Sequence, residues 1–177
     1  MRESMLLETG RLILRRYREE DYEELYEYLS DPEVVKYEPY RPMDREETRR
    51  ELALRIADEE MIAVEPKSTG KLIGNVYLGK REFEALEIGY VFNRKFWGLG
   101  YASESCLALI RWAFDCGIHR IYAECDPENE NSWKLLERMG FTREGHLKEN
   151  VWFWKDEQGK PLWKDTYLYG IIRPEEE

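Results

Sequence analysis

The chain has 177 residues, of which 42% are hydrophobic and 14% aromatic, and its formal net charge is −10. That length suits one domain, residues 1–177, with a core of its own, and the apolar content excludes a disordered chain. The acidic balance argues against nucleic-acid binding, which draws on basic surface to release counterions. It is compatible with a cationic substrate such as an amine.

The opening, MRESMLLETGRLILRRYREED, has scattered charges and no long apolar stretch. No window approaches the ~20 apolar residues of a membrane span, so we expect no targeting segment, no membrane partner and a cytoplasmic protein. Cys106, Cys116 and Cys125 lack CxxC spacing and the histidines are only His119 and His146, which makes a metal site unexpected.

In chain order, GRLILRRY reads as a first strand. REEDYEELYEYLSDP places Tyr22, Leu25, Tyr26 and Leu29 on one helix face, ended by Asp31-Pro32. MDREETRRELALRIADEE is a second helix, with a capping box from Asp44 to Glu47. MIAVEP, KLIGNVYLG and EALEIGYVF form an antiparallel meander, turning at PKSTG and at KREFE. YASESCLALIRWAFDCG is a long helix, IHRIYAECD a short strand, and NENSWKLLERMG a helix capped by Asn129 or Asn131 and ended by Gly140. Two long strands around the turn DEQGK complete a mixed α/β (α+β) domain.

The chemistry concentrates at NRKFWGLGYASES, where Gly98 and Gly100 stand between a strand and a helix. A helix N-terminus exposes unpaired N–H groups and partial positive charge, and glycine lets an anion approach the backbone. The pair therefore suits a phosphate, although a plain strand-to-helix turn could also need glycine. As a dinucleotide fingerprint the stretch is poor. Ser103 stands where the third glycine belongs, and NRKFW separates the strand from the glycines, despite Glu124 at the end of the next strand.

EIGYVFNRKFWGLGYASES resembles motif A of the GNAT superfamily of acetyl-CoA-dependent N-acetyltransferases, [Q/R]-x-x-G-x-[G/A], with Lys95 at the first position. NENSWKLLERMGF resembles the next motif of that family. The opening LETGRLILRRYREEDYEELYEYLSDPEV and the ending REGHLKEN…WKDTYLYGI resemble its ribosomal-protein alanine acetyltransferases, of the RimJ/RimL type. The resemblance implies a single, mostly antiparallel mixed sheet flanked by helices, whose central parallel strands splay apart to admit acetyl-CoA. It implies pantetheine along the backbone of Tyr90, Val91 and Phe92, which also supplies an oxyanion donor. It places pyrophosphate on the N–H groups of Gly98, Leu99, Gly100, Tyr101 and Ala102, with Lys95 and Asn129 completing the cofactor set.

Acetyl transfer to an amine needs a proton acceptor for the amine, a donor for the carbonyl oxygen and a proton for the leaving thiolate. No covalent intermediate is required, so Cys125 reads as a packed thiol. Many family members carry a tyrosine acid seven residues after the asparagine of the second motif; from Asn129 that position is Leu136. Ser132, one helical turn after Asn129, is the substitute donor, also placed to contact the cofactor, and Tyr167 on the last strand is a second candidate. Glu87, Glu124 and Glu149 compete as base, alongside a water chain with no dedicated base. VWFWKDEQGKPLW puts Trp152 and Trp154 on one strand face and Val151 and Phe153 on the other, which suits a substrate wall or a homodimer contact. The expected acceptor is a protein or peptide N-terminus, with a polyamine or antibiotic as the small-amine alternative. A non-catalytic acyl-CoA-binding module is the reading from outside enzymology.

Overall fold

The computed structural model describes residues 5–175; Met1–Ser4, where the opening was read for a targeting segment, lie outside it. One eight-stranded sheet runs in the order β1-β2-β3-β4-β5-β6-β8-β7. Its strands are β1 (Met5–Glu8), β2 (Leu12–Arg15), β3 (Met61–Pro66), β4 (Gly74–Arg81), β5 (Ala85–Phe92), β6 (Arg120–Cys125), β7 (Thr142–Lys155) and β8 (Pro161–Ile172). The helices are α1 (Tyr22–Leu29), α2 (Arg45–Ala57), α3 (Tyr101–Asp115) and α4 (Glu130–Arg138).

The elements follow the local signals with two differences. A short strand, β1, precedes the expected first one and pairs antiparallel with β2. β4 begins later than KLIGNVYLG and runs on through Arg81, so the turn falls at 82–84, where Phe83 and Glu84 take φ of 57° and 53°. The Asp44–Glu47 capping box forms, with Asp44 accepting from the N–H groups of Glu46 and Glu47. Asn129, rather than Asn131, caps α4 by accepting from Ser132 N at 3.3 Å.

Both sheet faces are covered, which is why β3 reads as a nearly continuous apolar run. Ile62 and Val64 enter the core under α3 and α4, together with Leu86, Ile88 and Phe92 of β5. The intervening Ala63 faces α1 and α2, packed with Leu25, Tyr28, Leu29 and Leu52. Period-2 alternation thus hands successive side chains to two different helix layers. Polar groups are also buried on the α1–α2 side. Arg55 donates to Glu51, to Tyr17 Oη at 3.1 Å and to Asn75 Oδ1 at 2.8 Å, and Tyr28 Oη donates to Asn75 Oδ1 at 2.9 Å.

The feature that positions the site is a break in the sheet. β5 and β6 are parallel and joined by α3, but they pair only at Ala85–Arg120, Leu86–Ile121 and Glu87–Tyr122. β5 continues to Phe92 against β4 on one side, and β6 continues to Cys125 against β8 on the other. Between the diverging strands, the edge of β5 from Ile88 to Phe92 has no β6 partner.

Candidate active site

The chain leaves β5 at Phe92 and makes a single helical turn over Arg94–Phe96, capped by Asn93. Trp97 Nε1 donates back to Phe92 O at 2.8 Å and fixes the exit from the strand. Gly98 and Gly100 then take φ of 75° and 80°, with Gly100 as the N-cap of α3. Both lie in the left-handed region that disfavours side chains, so the turn needs glycine twice. No atom lies within 4 Å of where a Gly98 Cβ would sit, so its surface faces open space. The first intrahelical bond runs from Glu104 N to Gly100 O; the preceding N–H groups of Tyr101, Ala102 and Ser103 have no backbone acceptor among the described residues. The open edge of β5 therefore leads directly into a bare, positively polarised helix N-terminus.

The acetyltransferase (GNAT) domain family matches residues 11–142 of the chain. The chain is 33% identical to the uncharacterized N-acetyltransferase YnaD of Bacillus subtilis, over 97% of this chain and 99% of the relative. The crystal structure of a GNAT-family acetyltransferase from Bacillus anthracis superposes with a TM-score of 0.87 at 34% identity, covering 97% of this chain and 100% of that one. The chain belongs to the GNAT acetyltransferase family. At partial coverage, 52% of this chain and 45% of the relative, it is 35% identical to the [ribosomal protein uS5]-alanine N-acetyltransferase of Escherichia coli. The GNAT assignment makes it an N-acetyltransferase and accounts for the mixed sheet with its central splay.

Within this GNAT domain, Tyr90 and Ser132 meet. The Tyr90 hydroxyl donates to Ser132 O at 2.9 Å and lies 3.1 Å from Ser132 Oγ, tying β5 to the first turn of α4. Burial pushes the Tyr90 phenol well above its ordinary pKa, so it stays protonated at neutral pH. The sequence pointed to Tyr90 for its backbone; its hydroxyl is an additional donor. Cys125, on the same sheet face, is pushed up to about 12 by burial and stays a thiol.

Tyr167 sits across from Cys125 on β8, with Arg143 stacked over its ring at 3.8 Å and the Trp133 ring 6.4 Å away. Trp133 follows Ser132, so Tyr167 belongs to the same α4-facing cluster. Glu87 and Glu124 come together near the start of the splay. Glu87 is ion-paired with Arg81. The Glu124 carboxyl is raised by partial desolvation and by the Glu87 charge, and lowered by Arg81. Glu149 is not brought to this group. It lies in a bulge of β7, the outer strand, exposed, with φ of 45° and its N–H donating to Asp165 at 2.8 Å.

Two cofactor-side residues differ from a simple cradle. Lys95 is engaged by Glu27 of α1, and Arg94 pairs with Asp31 at 3.0 Å, so the turn after β5 is bolted to the end of α1. Arg11, to which the sequence assigned no role of its own, reaches the glycine turn. It donates to Leu99 O at 3.0 Å, pairs with Glu104 at 2.7 Å and lies 4.5 Å over the Tyr101 ring. Its only advance signal is the strand "GRLILRR", in which one charged residue among several carries no distinguishing pattern.

The hairpin tryptophans divide. Trp154 is half-buried with Arg41 stacked 4.5 Å over it, while Trp152 is exposed opposite Trp163. The register of β7 shifts between Trp152 and Lys155, which breaks the alternation assumed for the two rings. Among the described residues, no group of three or more His, Cys, Asp or Glu side chains could hold a metal ion, and no helix is long and apolar enough to cross a membrane.

Proposed function

We propose that this GNAT domain, acting as one unit in the cytoplasm, transfers the acetyl group of acetyl-CoA to a primary amine by direct attack on the thioester. The observation that carries the reading is the continuity of the open β5 edge with the bare N-terminus of α3. A strand edge without a partner suits an extended amide-bearing arm such as pantetheine, and the N–H groups of Gly98, Leu99, Gly100, Tyr101 and Ala102 suit its pyrophosphate. Bound acetyl-CoA supplies the acetyl group already activated as a thioester.

The chain's own groups then have distinct tasks. The backbone of Tyr90, Val91 and Phe92 lines the pantetheine arm; the N–H groups of Tyr90 and Phe92, directed away from β4, hold it and offer a donor to the carbonyl oxygen, while that of Val91 is turned toward Asn75 of β4. The linked hydroxyls of Tyr90 and Ser132 supply a proton toward the leaving sulfur. Asn129 is spent on the α4 cap and holds Ser132 in place. Lys95 acts through Glu27, fixing the turn against α1. Tyr167 orders the α4 face through Trp133 and remains the second donor.

For the acceptor we favour a protein or peptide N-terminus, on the strength of the 35% identity to a ribosomal-protein alanine acetyltransferase. An α-amine with a pKa of about 8 is partly neutral at physiological pH, so modest base assistance suffices. Thiol release from acetyl-CoA, measured against an alanyl-terminated peptide, spermine and an aminoglycoside, tests this. Preferred turnover of the peptide is expected; preference for a small amine would move the assignment, and binding without turnover of any amine would favour the acyl-CoA-binding module.

A further inference from the structure

The connection between α1 and α2, residues 30–44, crosses the open mouth of the splay as a strap. It is fixed near the end of β5, where Asp31 pairs with Arg94 at 3.0 Å. It is fixed beyond the end of β6, where Tyr37 Oη donates to Glu128 O at 3.1 Å. It then returns to α2, where Tyr40 faces Arg55, and to β7, where Arg41 covers Trp154. Arg55 in turn holds Asn75, which stands opposite Val91 on β5.

Glu38 lies between the Tyr37 and Tyr40 anchors. Its side chain is half-buried, and its carboxylate has no hydrogen-bond or ion-pair partner among the described residues; only its backbone N–H is engaged, by Val35 O at 2.9 Å. Drawing a carboxylate partly out of water without supplying donors disfavours its charged form, and with no partner of its own it stays available to a group bound at the strap. Arg55 from α2 and Tyr40 from the strap face it, and Tyr17, Tyr28 and Glu51 stand around those two. Burial raises the Glu38 carboxyl to about 7, against the lowering effect of the Arg55 charge. The competing carboxylates are placed less well. Glu87 is held by Arg81, Glu124 is exposed, and Glu149 is out on β7.

We propose that Glu38 is the base that takes a proton from the acceptor ammonium at the mouth of the splay. The proposal rests on the acetyl-transfer reading above. Glu38 accepts one proton from the ammonium and returns it to solvent. The freed nitrogen lone pair forms the C–N bond as the C–S bond breaks; the Tyr90–Ser132 hydroxyls protonate the departing sulfur to the free thiol, and a second proton from that nitrogen restores them. A base that titrates near the working pH is the effective one for this task.

The test compares the wild type with Glu38→Gln and Glu38→Asp, using acetyl-CoA with an alanyl-terminated peptide and with spermine across about pH 5.5 to 9. Acetyl-CoA affinity is measured calorimetrically on the same preparations. Wild-type kcat/KM is expected to rise through about pH 7. Glu38→Gln should lose on the order of a hundredfold in kcat, lose that rise and keep its acetyl-CoA Kd, while Glu38→Asp recovers the rise and part of the rate. A glutamine variant with the wild-type rate and profile would overturn Glu38 as base and leave acetyl transfer standing. A wild type without acetyl-CoA binding would overturn the underlying reading. Independently of turnover, the melting temperature of Glu38→Gln should gain on the wild type as pH rises through 7; a constant difference would also overturn the proposal.

Discussion

The two sides of the splay are built from different materials. The α3 side is backbone: two glycines with φ of 75° and 80° and, among the described residues, a run of N–H groups without backbone acceptors and an unpaired strand edge. The α1–α2 side is side chains drawn from separate elements, with Glu38 and Tyr40 on the strap, Arg55 on α2, Tyr17 after β2 and Asn75 on β4. A backbone cradle is written in a short local motif and, in the proposed reaction, serves one constant partner. A side-chain cluster is assembled by the fold and can be changed one residue at a time, which in the proposed reaction suits the side that meets differing acceptors.

The comparison is broken hardest at Arg55. It is 4% exposed and donates to Glu51, Tyr17 and Asn75. Replacing it with leucine strands those partners and should destabilise the protein by about 3–5 kcal/mol, the usual effect of removing one member of a buried charged network. Chemical denaturation measures the loss. Because the cradle uses none of these groups, acetyl-CoA affinity of the folded fraction should hold within about threefold; a parallel collapse of binding would show that the two sides are energetically one.

Glu38 gives the next largest effect, and its sign follows from linkage. Its folded carboxyl lies near 7, above the unfolded value of 4.5, so the folded state holds the proton more tightly. That contribution to stability is complete below about pH 4.5 and is lost as pH rises through about 7. Glu38→Gln cannot lose it. The variant should therefore match the wild type near pH 4.5 and exceed it by as much as about 3 kcal/mol above pH 8, read as the difference between two denaturation series.

These two predictions also mark where sequence reading stopped. The order of strands and helices was legible because periodicity, the Asp44–Glu47 box and the DEQGK turn are local signals. β1 was not: four residues beside a glycine carry little pattern, and its strand character comes from pairing with β2. The cradle was legible for the same local reason. Arg11 and Glu38 were not, because each gains its meaning from neighbours 88 and 17 residues away, Leu99 and Arg55. Lys95 was legible as part of a motif, but its partner Glu27 was not, so its contact could not be foreseen.

Gly100→Val sharpens the cradle side. The new side chain would sit at φ 80° with its Cβ 3.3 Å from Arg11 Nη2, so some loss of stability is expected, about 1–2 kcal/mol. The loss of acetyl-CoA affinity should be larger, on the order of a hundredfold or about 2.7 kcal/mol, because the valine also blocks the approach of phosphate to the N–H groups. Calorimetric Kd against denaturation midpoint separates the two. Equal losses would reduce the glycine pair to a plain turn.

The smallest effect is expected where β5 is stitched to α4. Tyr90 and Ser132 touch through their hydroxyls at 3.1 Å, and Tyr90 also donates to Ser132 O. Ser132→Ala should lower kcat by about three- to tenfold with little change in acetyl-CoA Kd, since the Asn129 cap uses the Ser132 backbone and survives. Tyr90→Phe should lower kcat similarly. If the hydroxyls act as one proton-donating unit, the double variant will be no slower than the slower single one, whereas two independent donors would multiply their losses. A raised Kd with unchanged kcat in Ser132→Ala would make the serine a cofactor contact, and the proton for sulfur would then have to come from the Tyr167 side of α4.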